Sequence, residues 1–283
     1  MNAQLAPLSI TDYGPGIHEG IPAEIYHRKE LGVVNKGALD QLARTPKHYR
    51  AWLADTEQHD TPALLFGRAL HALVLEPALF AREWARQPDF GDLRTKAGKE
   101  RRDDWATSHR GVATVSADDW ERLQAMRDAV MGHPIAGKLF TGGVSESTAI
   151  WTDHDTGLLC KSRMDYYVAA RGLVIDLKST EDASDDGFAR SVAKYRYHVQ
   201  HAHYASAFQT LGHELRAFLF AAVEKSPPYA VAVHCIDADA EARGMELRSR
   251  DMATLNRCLQ TDTWPGYEPS IHTLALPRWA LND

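Results

Sequence analysis

The sequence predicts a mixed α/β fold of the α+β kind, in which helices flank a sheet that begins antiparallel. Three observations point there. Residues 147–180 contain three β-like runs, STAIWTD, GLLCKSRMDYYV and GLVIDLKST, broken by the turn residues Asp153-His154-Asp155-Thr156-Gly157 and Arg171-Gly172. Helical patterns lie on both sides of that block. Two further strand-like runs, LRAFLFAAVE and YAVAVHCID, flank Pro227-Pro228. From residue 62 the order is therefore helices, three strands, a helix, two strands and a helix.

The elements follow in chain order. The first 60 residues mix short helical and turn signals, as where Asn35-Lys36-Gly37 leads into ALDQLART. Pro62 to Glu76 reads as a buried helix: Leu64, Leu65, Ala69, Leu70, Leu73 and Val74 cover one face, and Pro77 stops it. Residues 86–113 are polar, basic and weakly periodic, which predicts a mobile surface segment. Ser116 to Met131 is a second helix, with Ser116 as N-cap, Asp119 three residues on, and Trp120, Leu123, Met126 and Val130 on the apolar face. A long helix is expected from about Asp186 to Leu211 and a last one from Ala238 to Thr261. The tail, TWPGYEPSIHTLALPRWALND, reads as loop with aromatic anchors. One domain over 1–283 is expected, with a helical extension at 1–61, an αβββαβ core at 62–237, and a C-terminal helix and tail at 238–283.

Composition narrows the class. With 283 residues, 44% hydrophobic and 25% charged, the chain is neither collagen-like, disordered nor of low complexity. Cys160, Cys235 and Cys258 are too scattered for a disulfide framework or a CxxC metal knuckle. No apolar run approaches the ~20 residues of a membrane helix, and MNAQLAPLSITDYG lacks the basic start and apolar stretch of a secretory signal. A soluble, cytoplasmic protein without membrane association is expected. The net charge of −6 argues against a protein that coats itself in nucleic acid. Yet RTKAGKERR, from Arg94 to Arg102, sets five basic residues against one acid, and Arg44, Lys47 and Arg50 form a second basic set. Such a patch can grip a polyanion; a solvated face is the alternative.

The chemistry concentrates between Arg163 and Lys178. Asp165 sits within one strand, and Asp176-Leu177-Lys178 ends the next. Period two sends Asp176 and Lys178 to one face while Ile175 and Leu177 point into the core. The short AARG connection makes the strands hairpin neighbours, which brings Asp165 beside Asp176. Two carboxylates and an ammonium on one face form a hard-cation site suited to Mg²⁺ or Mn²⁺, with Lys178 placed to orient water or stabilise phosphate charge. A salt-bridged strand end is the competing reading. His71, on the apolar helix, reads alone as a hydrogen-bonded core histidine rather than a ligand. Gln200 and Tyr204 share a helix face with Tyr197 one turn before, placed to hold a phosphate or simply part of an amphipathic helix.

Together, Gly67-x-x-x-His71, Asp165, Asp176-x-Lys178 and Gln200-x-x-x-Tyr204 resemble the PD-(D/E)xK nuclease superfamily, in the αβββαβ order of its RecB-like branch. The stretches IYH, GVVNKGALDQLARTP, LLFGRALHALVLEP, IWTDHDTGLLCKSRMDYY, IDLKST, YRYHVQHAHYASAF, TDTWPGY and LPRWA are similar to the RecE-type exonuclease VIII nuclease domain, in the same order over roughly 20–280. The resemblance implies that Asp165 and Asp176 bind the metal, joined by His71 and the Leu177 carbonyl. It implies that Lys178 is the catalytic lysine and that Gln200 and Tyr204 contact DNA near the scissile phosphate. Glu146 is a further acid at the start of the first strand. Arg94, Lys96 and Lys99 are the candidate DNA-binding residues of the basic run. Met164 departs from the superfamily pattern, standing where a proline would precede the first acid.

The implied activity is Mg²⁺-dependent exonucleolytic degradation of linear double-stranded DNA from 5′ to 3′, with Mn²⁺ able to substitute. It releases mononucleotides and leaves 3′ overhangs for recombination by strand annealing. The resemblance also implies a phage or prophage origin, a single-strand annealing recombinase as partner and a ring-like homo-oligomer. No ATP motor is expected, since GxxxxGK[ST] is missing. No iron–sulfur cluster is expected either, because three scattered cysteines cannot supply four ligands. The rival readings are an endonuclease or nickase on the same residues, a catalytically silent DNA-binding scaffold, and a zinc protein using His198, His201 and His203. Against zinc, His203 leaves the face that His198 and His201 share, and no HExxH occurs.

Overall fold

A computed structural model of the chain describes residues 9–55 and 61–276. Most of the MNAQLAPLSITDYG stretch and the PRWALND end of the tail lie outside these residues. The strands are β1 (Gly16–His18), β2 (Val33–Val34), β3 (Trp84–Arg86), β4 (Ala113–Val115), β5 (Val144–Thr152), β6 (Leu159–Val168), β7 (Leu173–Thr180), β8 (Ala217–Glu224) and β9 (Val231–His234). The first six helices are α1 (Ala23–Tyr26), α2 (Lys36–Arg44), α3 (Pro46–Ala54), α4 (Pro62–Leu75), α5 (Pro77–Glu83) and α6 (Lys96–Ser108). The others are α7 (Ala117–Gly132), α8 (Ala136–Leu139), α9 (Asp185–Lys194), α10 (Tyr197–Leu211) and α11 (Ala238–Thr261).

Seven strands form the main sheet, in the order β1-β5-β6-β7-β8-β9 with β2 set against β6. The β5-β6-β7 block is an antiparallel meander, as the turn-broken pattern of residues 147–180 implies. Strands β7 and β8 are parallel, so the chain must cross over between them, and α9 and α10 make that crossover. Strand β9 returns antiparallel. Each face of the sheet has its own apolar core. On one side Leu39, Tyr49, Trp151, Val174, Val199, Phe208, Phe220 and Leu255 pack together, drawn from α2, α3, the sheet, α10 and α11. On the other side Leu70, Leu73, Leu123, Met126, Ile175, Leu177 and Val223 bring in α4 and α7. Ile175 and Leu177 thus point away from Val174 and Asp176, as a two-residue period requires.

Caps set several helix starts. Asn35, Thr45, Thr61, Thr95, Ser116 and Ser184 each accept a backbone N–H of the first turn. Pro77 does end the run from Pro62, and it also starts α5, because a proline at the first helical position loses no hydrogen bond.

Three expectations change. The described part of the expected N-terminal helical extension also carries strands: Gly16–His18 pairs with β5, and Val33–Val34 pairs in parallel with Leu159 and Cys160. The segment 86–113 contains the 13-residue helix α6, bracketed by the parallel pair β3 and β4. It gave no periodic signal because only Gly98 of this helix is buried. The long helix over 186–211 is two helices. Arg196 between them adopts a left-handed backbone (φ 56°), and its guanidinium bonds the Leu39 carbonyl at 2.8 Å, Asp40 at 3.3 Å and Asp251.

Candidate active site

The site lies where β6 and β7 part. Their pairing runs from Val168↔Leu173 to Tyr166↔Ile175 and ends there. At its other end β6 pairs with β2, so residues 161–165 have no strand neighbour on that side. The stranded backbone groups find other partners. Asp165 Oδ2 reaches across the gap and accepts the Leu177 N–H at 2.8 Å. From α10, the Tyr204 hydroxyl donates to the Arg163 carbonyl at 2.6 Å, and His203 Nε2 lies 3.2 Å from the Lys161 carbonyl. The parting of two strands thus frees Asp165 to face a cleft, and a helix seals the gap behind it around the buried Asp176.

Asp176 is 1% exposed. Its Oδ1 accepts from Gln200 Nε2 at 2.6 Å. Its Oδ2 is buried against the Lys178 ammonium and receives no well-formed hydrogen bond. Burial, joined by the charge of Asp165, pushes the Asp176 carboxyl up to about 6 against the pull of Lys178 and His71. Burial by itself lowers the Lys178 pKa. Asp176 and Asp165 outweigh it and hold the lysine above its usual range, so Lys178 is an ammonium at neutral pH. The ammonium also sits 4.9 Å from the centre of the Tyr197 ring.

His71 Nδ1, on α4, approaches Asp165 Oδ2 to 3.5 Å. Glu146 completes the cluster: one ligand atom from each of His71, Glu146 and Asp165 lies within 4.8 Å of the others. The pairs Ser145↔Tyr166 and Ser147↔Met164 set Glu146 opposite Asp165. Its backbone is left-handed (φ 54°), a conformation that costs a non-glycine residue about 1–3 kcal/mol and that clusters at functional sites. Burial, then the Asp165 charge, pushes its carboxyl up to about 8, while Arg163, whose Nε is 3.9 Å from Glu146 Oε2, opposes the shift. Sequence spacing marked Glu146 only as an acid near a strand start; the reversed backbone that aims it has no signature in the residue pattern.

Two carboxylates and an imidazole at this spacing suit a divalent cation of the Mg²⁺ or Mn²⁺ type. Asp176 lies outside this cluster, its buried Oδ2 held against the Lys178 ammonium. The cluster borders an open cleft of about 880 Å³ lined by His71, Glu146, Arg163, Asp165, Lys178 and Tyr197, among others, with Asp176 buried behind the lining.

Other candidates fall elsewhere. Gln200 and Tyr204 do not line that cleft; both are buried, and their polar ends serve Asp176 and the Arg163 carbonyl. Their expected contact with DNA is therefore corrected to a supporting one. The shared helix face was right, but it turns inward because the parted strands need donors. Arg94, Lys96 and Lys99 lie on and just before the exposed α6, outside the cleft. Arg94 holds Asp92 through two bonds of 3.0 and 3.1 Å, and Lys96 lies 3.6 Å from Glu100. The zinc reading fails on geometry: His203 is fully buried between the Lys161 carbonyl and Arg248.

A mixed sheet flanked by helices, with an Asp…Asp-x-Lys set at two parting strands, defines the PD-(D/E)xK nuclease superfamily. Within it, the chain belongs to the family described as PDDEXK-like domain of unknown function (DUF3799), whose model matches residues 37–274. The crystal structure of a Eubacterium rectale protein, named for an inferred exonuclease activity, is similar at a TM-score of 0.60 and 14% identity. That alignment covers 94% of this chain and 99% of that one. At such identity the likeness shows the fold. A phage-related exonuclease from Haemophilus somnus 129PT aligns at 13% identity and a TM-score of 0.30, over 62% of this chain and 92% of its own, too weakly to bear on either fold or function. No curated protein matches the chain. No helix among the described residues is long and apolar enough to cross a membrane.

Proposed function

We propose that this protein is a divalent-metal-dependent exodeoxyribonuclease that degrades linear double-stranded DNA from 5′ ends, releasing mononucleotides and leaving 3′ overhangs for strand annealing. The observation that carries the reading is the meeting of His71, Asp165 and Lys178, from one helix and two parting strands, on an open cleft, with Asp176 buried behind them against Lys178. Asp165 and Asp176 would hold the cation with His71, with Glu146 beside them and the Leu177 carbonyl as the resemblance implies. A Mg²⁺ or Mn²⁺ ion held by these residues would supply Lewis acidity toward a phosphate oxygen and a water. Lys178, already protonated and fixed by Asp176, would stabilise charge on the phosphate oxygens rather than accept a proton. Gln200 keeps Asp176 oriented, and Arg94, Lys96 and Lys99 would meet duplex beyond the cleft. Polarity, a ring-like homo-oligomer and an annealing recombinase as partner rest on the RecE-type resemblance.

A digestion time course tests the reading, using linear duplex labelled separately at each end and closed circular duplex. Loss of 5′ label with circles intact is the expected result. Cut circles would replace it with an endonuclease or nickase on the same residues.

A further inference from the structure

We propose that Tyr195 and Tyr197 form a stacking platform for unpaired nucleotides next to the reacting phosphate, so that the substrate lies there as a frayed single strand; this rests on the nuclease reading above. A groove of about 260 Å³ beyond the end of β7 shares Ser179 and Tyr197 with the metal-site cleft, so the two depressions adjoin at these residues. A strand passing Lys178 would enter this groove next.

The groove is built to present an aromatic face. The Tyr195 and Tyr197 rings stack at 5.7 Å and 28°, and Tyr197 stacks in turn on the buried Phe220 at 5.7 Å. The core thus backs the platform, while Tyr195 keeps half of its surface in solvent. The backbone there is held on both sides. Lys36 Nζ donates to the Tyr195 carbonyl at 2.9 Å, and the left-handed Arg196, tied to Leu39, Asp40 and Asp251, turns the chain so that the two tyrosines meet. Without that turn, one continuous helix would put positions 195 and 197 on different faces.

Charge favours a nucleic acid strand. Both acids lining the groove are occupied, Glu181 by Lys225 at 2.9 Å and Asp182 by Arg190 at 3.5 Å. Lys194 Nζ sits over the Tyr195 ring, 5.2 Å from its centre, so a base that stacks on the platform displaces this exposed ammonium toward its own phosphate. A stacked aromatic beside cations binds unpaired bases without sequence preference, because every base has a π-face and a duplex end must open to offer one.

The test measures binding of a fluorescent oligothymidylate by anisotropy in Mg²⁺. The full chain carries Lys178→Ala throughout, which keeps the probe intact, with and without Tyr195→Ala or Tyr195→Phe. Loss of one stacked base weakens binding roughly 10-fold, so Tyr195→Ala should show about that loss and Tyr195→Phe should stay within about twofold. Equal unfolding midpoints would show that the half-exposed position has not disturbed the fold. If Tyr195→Ala binds as tightly as its parent while the wild-type chain still cleaves DNA, the platform is wrong and the nuclease reading stands. If the wild-type chain neither binds nor cleaves any DNA, both fall.

Discussion

At the scale of single residues, the carboxylates do little without the groups that hold them. Gln200 Nε2 donates to Asp176 Oδ1 at 2.6 Å inside the core. Gln200→Ala should therefore lower kcat about 10–100-fold with KM nearly unchanged, and cost roughly 1.5–3 kcal/mol of stability as a hydrogen bond to a charged group is lost. Steady-state kinetics on linear duplex with urea unfolding checks both; a rise in KM alone would return Gln200 to the DNA. His203 makes a different prediction. Burial, followed by the nearby Arg248 charge, lowers its pKa from 6.5 to about 3, so the unfolded chain binds a proton that the folded chain refuses. Its contribution to stability is full above about pH 6.5 and drains away as pH falls toward about 3. Between pH 7 and about pH 4.5 the wild type should lose roughly 2 kcal/mol more than His203→Gln, read from urea unfolding at each pH. The Asp165, Asp176 and Lys178 set was legible because alternation along a strand is a strict geometric rule. Glu146 was not, because a left-handed residue breaks that alternation.

Among elements, those that bury an apolar stripe could be read and those that do not could not. α4 and α7 showed themselves through Leu70, Leu73, Leu123 and Met126, which all reach the core. α6 carries no such stripe, and tertiary packing cannot be what selects its face. β1 and β2, of three and two residues, are too short to show any period, and only the open edges of β5 and β6 recruit them. The break at Arg196 was hidden because its cause is three distant partners on α2 and α11. The exposure of α6 bears on binding. A surface pair such as Lys96 with Glu100 contributes only about 0–1 kcal/mol, so these lysines remain available to phosphates. Lys96→Glu with Lys99→Glu should weaken binding to every duplex sequence and flatten its dependence on salt by about one counterion per lost contact. Anisotropy titrations across a salt series measure this, and an unchanged slope would leave α6 a solvated face.

For the whole molecule, one topological event makes the site. β6 is long enough to take β2 at one end and β7 at the other, and the stretch between them is left for side chains to fill. The αβββαβ order was readable from turns and alternation, whereas the gap in pairing was not, since it depends on how far two strands stay together before they diverge. His71 from α4 enters from one side of the sheet and Gln200 from α10 supports Asp176 from the other, so both layers contribute to the proposed cation site. The most direct measurement is release of acid-soluble nucleotides from linear duplex by the wild type and by Asp176→Asn, in Mg²⁺ and after chelation. Release by the wild type in Mg²⁺ alone, with Asp176→Asn folded, still binding DNA and inactive, is the expected result. Undiminished release by Asp176→Asn, or release that survives chelation, would contradict a metal-dependent nuclease centred on these carboxylates.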